Sequence, residues 1–154
     1  MAINFKRPEY HGPVRHIKDT KHGEHLYLGQ IKHISGFGSR SLYPLGGLVR
    51  LGDRGNLTFT VQNKFINYLR VDGDQKIIRF MEENSGIEIG GIRSFKTGAA
   101  EQLIKRAIVI AHYRKAKYIY LDTQNRRLEN IVLNLGFISA GTNMVGQRVY
   151  IKLL

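Results

Sequence analysis

Between Ile87 and Phe137 the hydrophobic period of the chain switches from two to helical spacing and back, and this limits the available folds more than any other feature. IEIGGIRSF (Ile87 to Phe95) reads as a strand, with Ile87, Ile89 and Phe95 on one face and Gly91 between them. A KTG turn follows. Thr97 suits a helix N-cap there, and Glu101 stands in the first turn, where the helix dipole favours an anion. In AAEQLIKRAIVIAHYRKAK the residues Leu103, Ile104, Ala107, Ile108, Ile110 and Ala111 form a wide apolar stripe, as expected of a helix lying flat on a sheet. Lys115 and Lys117 suit its C-terminal end. YIYLDT (Tyr118 to Thr123) is β-branched and aromatic, and so a strand. NRRLENIVLNLG then places Leu128, Ile131, Val132 and Leu135 at helical spacing, with Gly136 as the stop.

The result is a βαβ unit with a bare glycine turn at the helix start. Backbone N–H groups there lack an intrahelical partner and make a seat for phosphate. The same glycine equally serves a unit in which it only turns the chain.

A chain of 154 residues is one ordinary domain with room for a core, and 42% hydrophobic with 23% charged residues is a globular balance. The absence of cysteine excludes disulfides, a thiol nucleophile and cysteine-ligated metal. No apolar run reaches membrane-spanning length and the first residues have no signal-peptide core, so a cytoplasmic protein without a membrane partner is expected. The net charge is +12 and unevenly spread. Residues 1–50 carry 8 Lys/Arg against 3 Asp/Glu, and residues 93–117 carry 7 against 1. If these segments share a face, they suit a polyanion: nucleic acid, an acidic protein or a cofactor's phosphates.

Residues 1–12 read as an extended arm, punctuated by Pro8. Val14 to Asp19 reads as a first strand and His22 to Ser35 as a helix carrying Leu26, Leu28, Ile31 and Ile34, weakened by Gly29. Gly36 to Gly47 is a glycine-rich loop in which Phe37, Arg40 and Tyr43 are candidates for a substrate wall. Leu48 to Leu51 and Leu57 to Gln62 form a hairpin about a turn at Asp53 to Asn56. Phe65 to Val71 is a further strand. Lys76 to Glu83 reads as a strand too, although Ile77, Phe80 and Met81 also fit a helical face. A terminal hairpin follows Gly136, with Asn143 and Gly146 at its turn. Five histidines (His11, His16, His22, His25 and His33) lie in the first 33 residues, but no HExxH accompanies them, so a solvent or nucleic-acid-facing role is expected rather than a metal.

The βαβ stretch resembles the Gcn5-related N-acetyltransferases, the GNAT superfamily. In that family a loop of pattern Gln/Arg-x-x-Gly-x-Gly/Ala opens a long helix and holds the coenzyme A pyrophosphate. Phe95, Lys96, Thr97, Gly98, Ala99 and Ala100 match it, with Phe95 where the family has Gln/Arg and Arg93 two residues earlier as a substitute. A second family signature, Asn-x-x-Ala-x-x-Leu-Tyr-x-x-x-Gly-Phe, is matched by Asn125, Ile131, Gly136 and Phe137, with Leu128 replacing the alanine. Val132 replaces the tyrosine that in many members protonates the departing thiolate.

The resemblance implies an α/β fold, a GNAT-like mixed, mainly antiparallel sheet with flanking helices in a single domain over 1–154. It implies acetyl-CoA as cosubstrate, held by Arg93, Phe95 to Ala100 and Asn125, and transfer of acetyl to an amine-bearing small molecule or protein. Glu88 is then the base, and Tyr150 or Tyr120 stands in as the acid. The alternative is a GNAT-like basic module without catalysis, with a structural, protein-docking or nucleic-acid-binding role.

Overall fold

The computed structural model of the chain describes residues 10–19, 23–31, 45–62 and 73–154. The expected unit forms as read: strand β5 (Gly86–Ser94), helix α2 (Ala99–Tyr113), strand β6 (Tyr118–Thr123) and helix α3 (Arg126–Asn134). Before it come strands β1 (Tyr10–Asp19), β2 (Glu24–Ile31), β3 (Leu45–Leu51) and β4 (Gly55–Gln62), then helix α1 (Gln75–Glu83). After it come β7 (Ile138–Thr142) and β8 (Arg148–Leu153). Among the described residues the eight strands make one sheet in the order β1-β2-β3-β4-β5-β6-β8-β7, in which β5–β6 is parallel and every other pair antiparallel. The fold is thus α/β with a mixed, mostly antiparallel sheet.

α2 covers one face. Ala99, Leu103, Ile104, Ala107 and Ala111 are buried on it, the last four in one core with Leu57, Phe59, Ile87, Ile89, Ile119 and Leu121. This is the stripe read from the sequence, and each such large side chain contributes about 1.5–3 kcal/mol by leaving water. α1 covers part of the other face: Met81 packs with Tyr118, Tyr120, Val149 and Ile151. A Cβ on Gly86 would enter the Tyr118 ring, so glycine there lets that ring lie against β5. Gly136, at φ 90, ends α3, and the Phe137 N–H donates to Val132 O.

Three expectations are corrected. His22 to Ser35 is not a helix over its described part: β2 runs there, with Leu26 and Leu28 half-buried toward the α2 core and His25 and Tyr27 on the other face. Gly29 takes Tyr10 and Pro13 close against its backbone, a cross-strand contact that glycine permits. Lys76 to Glu83 is α1, fixed by the Asp74 carboxylate, which accepts from Lys76 N at 3.0 Å and Ile77 N at 3.4 Å. Third, Phe95 does not continue the face of Ile87 and Ile89 by simple alternation. Thr58 pairs with Gly91 and Phe59 with Ile89, which leaves Gly90 as the extra residue of a β-bulge. Beyond it Ile92, not Gly91 or Arg93, packs on the α2 side. The arm through residue 9, Phe37, Arg40, Tyr43 and the strand at Phe65 to Val71 lie outside the described residues. Among the described residues no helix is long and apolar enough to cross a membrane.

Candidate functional site

β5 and β6 are paired only from Gly86 to Glu88 and from Tyr118 to Tyr120. Past Glu88 and Tyr120 the strands part, just before the bulge at Gly90 bends β5 away. A cleft of ≈ 620 Å³ lies between the end of β5, the start of α2 and the first turns of α3. Ile92, Leu128 and Ile131 give it apolar walls, and Lys96 and Arg127 give it positive charge.

The floor is the turn into α2. Ser94 Oγ donates to Lys96 O at 3.0 Å, and Phe95 N donates to Arg54 O at 2.8 Å, so the turn is tied to the β3–β4 hairpin. Arg54 also donates to Gln102 Oε1 on α2. Gly98 occupies the cap position in the left-handed region (φ 82, ψ −9) and no side chain caps the helix. Thr97 is therefore not the N-cap. A Cβ on Gly98 would meet no atom within 4 Å, so the space beyond the turn is open. Ala99 N donates back to Lys96 O at 3.2 Å and Gln102 N to Gly98 O, which leaves the Ala100 and Glu101 N–H groups without an intrahelical partner at the helix start. Glu101 lines the same cleft, its carboxylate 3.4 Å from Lys105. At the far wall Asn125 caps α3, accepting from Leu128 N at 3.1 Å, while its own N–H donates to Thr123 Oγ1.

The fold thus brings Phe95, Lys96, Thr97, Gly98, Ala100 and Asn125 together on one cleft. Ala99 lies beneath it, fully buried. Arg93 is not among the lining residues: its guanidinium lies over the Phe95 ring, 5.0 Å from the centroid. Glu88 lies where the strands part, on the face opposite α2, paired in register with Tyr120. Burial, and then the charge of Asp122, push its carboxyl up to about 7, while a hydrogen bond from Tyr120 holds it back. Asp122 accepts from Asn143 Nδ2 at 2.8 Å. The Tyr118 hydroxyl donates to Met81 O, and burial and Glu88 raise its pKa.

Tyr150 points the other way, buried in the α2-side core with Leu121 and Val132. It is not beside Glu88, and of the two tyrosines only Tyr120 is. The sequence reading missed Arg127, Asp122 and Asn143. Arg127, two residues past the capping Asn125, was the one with a local signal; the other two depend on strand register. No model of a protein family matches the chain, and a search of curated proteins finds no match either.

Proposed function

We propose that the protein is a GNAT-like N-acetyltransferase that takes the acetyl group of acetyl-CoA to an amine. One observation carries the reading: β5 and β6 part directly beside a helix start that no side chain caps and that opens onto free space at Gly98. A pyrophosphate fits such a seat because unpartnered N–H groups and the helix dipole both favour an anion. Lys96 and Arg127 add positive charge on either side. The amide-bearing arm of coenzyme A suits the gap between strands, where β5 beyond Glu88 no longer pairs with β6.

Acetyl transfer forms a C–N bond and breaks a C–S bond, so the amine must lose a proton and the thiolate gain one. A base whose pKa lies near neutrality is suited to the first task, and Glu88 at about 7 meets that condition. Glu88 does not line the cleft itself; it stands where β5 and β6 part, on the face opposite α2, and the amine would have to reach it there. For the second task the usual tyrosine position holds Val132, which is fully buried. That burial favours a second reading, a module that binds the cofactor and turns it over slowly or not at all.

Calorimetric titration with acetyl-CoA tests the shared premise. Gly98→Ala meets no neighbour and pays only left-handed strain of about 1–2 kcal/mol, so it should weaken binding at most about 30-fold. Gly98→Asp adds a negative charge at the phosphate seat and should abolish binding. Unchanged affinity in Gly98→Asp overturns the site. With binding established, Glu88→Gln should lower acetyl transfer by on the order of 10²-fold. Cofactor binding with no thiol release for any amine selects the second reading.

A further inference from the structure

α2 covers one face of β2–β6, while α1 lies across β6–β8 on the other. Among the described residues no helix lies on that second face over β1–β3. The register brings basic side chains into line there. Lys18 pairs with His25, His25 with Arg50, Arg50 with Asn56 and Asn56 with Arg93. At ~4.8 Å per strand the row runs roughly 19 Å from the sheet edge inward. Burial and the charges of Arg50, His16 and Lys18 hold the His25 imidazole below its ordinary range, as a crowd of positive groups does. No salt bridge among the described residues neutralises Lys18, Arg50 or Arg93; the ion pairs found among them are Glu101–Lys105 within α2 and Glu24–Arg106 between β2 and α2.

The next row is aromatic. His16 pairs with Tyr27 across β1–β2, their rings stacked at 4.3 Å between centroids and 8° between planes. His25 joins the stack at 5.3 Å from His16, with His16 Nε2 3.0 Å from His25 Nδ1. His16 and Lys18 are exposed; His25 and Tyr27 are half-buried.

We propose that this face, running across β1–β5 from Lys18 to Arg93, binds single-stranded nucleic acid. Cations in a line match a phosphate backbone, and a preformed ring column matches bases that are free to stack. A duplex keeps its bases stacked on one another and offers no ring face to His16 or Tyr27, which is why the single strand is the occupant. Part of the charge expected to act together does not: Lys105, Arg106 and Arg114 belong to α2, on the opposite face. The proposal is independent of the acetyl-CoA cleft.

Fluorescence anisotropy with short uridine and thymidine homopolymers, single-stranded and annealed to their complements, tests it over a salt series. The single strands should bind and the duplexes bind more weakly. With three phosphates neutralised the slope of log affinity against log salt is about −2, at about −0.7 each. Lys18→Glu should flatten that slope by at least about 0.7. His16→Ala should weaken binding roughly 10-fold and leave the slope unchanged, because it removes stacking and not charge. Lys105→Glu with Arg114→Glu should change neither quantity. Preference for the uridine or the thymidine strand assigns RNA or DNA, and either supports the site. No binding at low salt, tighter binding of duplex, or equal losses from the α2 pair and Lys18→Glu would each overturn it. Unchanged acetyl-CoA affinity in Lys18→Glu and His16→Ala keeps the two sites distinct.

Discussion

α1 and α2 lie on opposite faces of one sheet and begin in opposite ways. α1 starts on Asp74, whose carboxylate takes the Lys76 and Ile77 N–H groups. α2 starts on a left-handed glycine with no side-chain cap. A capping Ser, Thr, Asp or Asn typically contributes about 1 kcal/mol, so α2 forgoes a stabilisation that α1 has. α2 can forgo it because its length is secured by burial: five of its residues are buried, against two on α1. One helix is held by its end and the other by its side. The end left bare is the one that faces the cleft.

The largest expected effect breaks the side that holds α2. Leu103 is fully buried in the main core, and Leu103→Ala should cost about 3 kcal/mol, read as a lower denaturation midpoint in urea. Ile77→Ala on α1, half-buried beside Met81, should cost about 1 kcal/mol. Equal losses would mean that the two helices are secured alike.

The next effect belongs to the face under α1. Glu88 has its carboxyl raised from 4.5 to about 7. Between those values the folded chain keeps a proton that the unfolded chain has released, so stability falls as pH rises through the window and levels off above 7. The loss should be about 3 kcal/mol, and Glu88→Gln, which cannot ionise, should remove it. Thermal midpoints between pH 5 and 8 read this directly. A wild-type curve parallel to that of Glu88→Gln would show that Glu88 titrates in the native state as it does in the unfolded chain.

The contrast between the helices also explains what could be read in the sequence. α2 was legible because its stripe repeats over fifteen residues and its start is marked by glycine. α1 was not: nine residues holding Ile77, Ile78, Phe80 and Met81 fit either period, and Asp74 serves equally as turn residue and N-cap. β2 was misread because its leucines fit a helix as well as a strand, and because the tight approach of Tyr10 to Gly29 is a cross-strand fact. At the site the same division holds. The glycine turn from Lys96 to Ala100 is local and legible, although its cap is Gly98 and not Thr97; Asn125 is expected from the family signature, but its capping of α3 is not. The environment of Glu88 comes from Tyr120 and Asp122 on another strand, and the exclusion of Arg93 follows a bulge that only the Gly90–Gly91 pair hinted at.

A smaller effect tests the two helix starts against each other. Asp74→Ala should destabilise by about 1 kcal/mol, because it frees two N–H groups that its carboxylate now holds. Thr97→Ala should change stability by less than about 0.5 kcal/mol, because Thr97 is exposed and caps nothing. A loss in Thr97→Ala equal to that in Asp74→Ala would restore Thr97 as a cap and remove the contrast.

The smallest effect lies at the other end of α2. Lys115 is the one described non-glycine residue with positive φ, at 57°. It closes the helix as a glycine commonly does: Lys115 N donates to His112 O and Ala116 N to Ala111 O. A lysine there carries left-handed strain of about 1–2 kcal/mol. Glycine removes the strain but gains freedom in the unfolded chain, which returns about 0.4–1 kcal/mol of it. Lys115→Gly should therefore stabilise by about 0.5 kcal/mol, and Lys115→Ala, which keeps the Cβ, should not. Because both variants delete the same charge, the difference between them isolates the backbone. If both raise the midpoint equally, the gain comes from relief of the crowded positive charge on Arg114, Lys115 and Lys117, and the helix end is not strained at all.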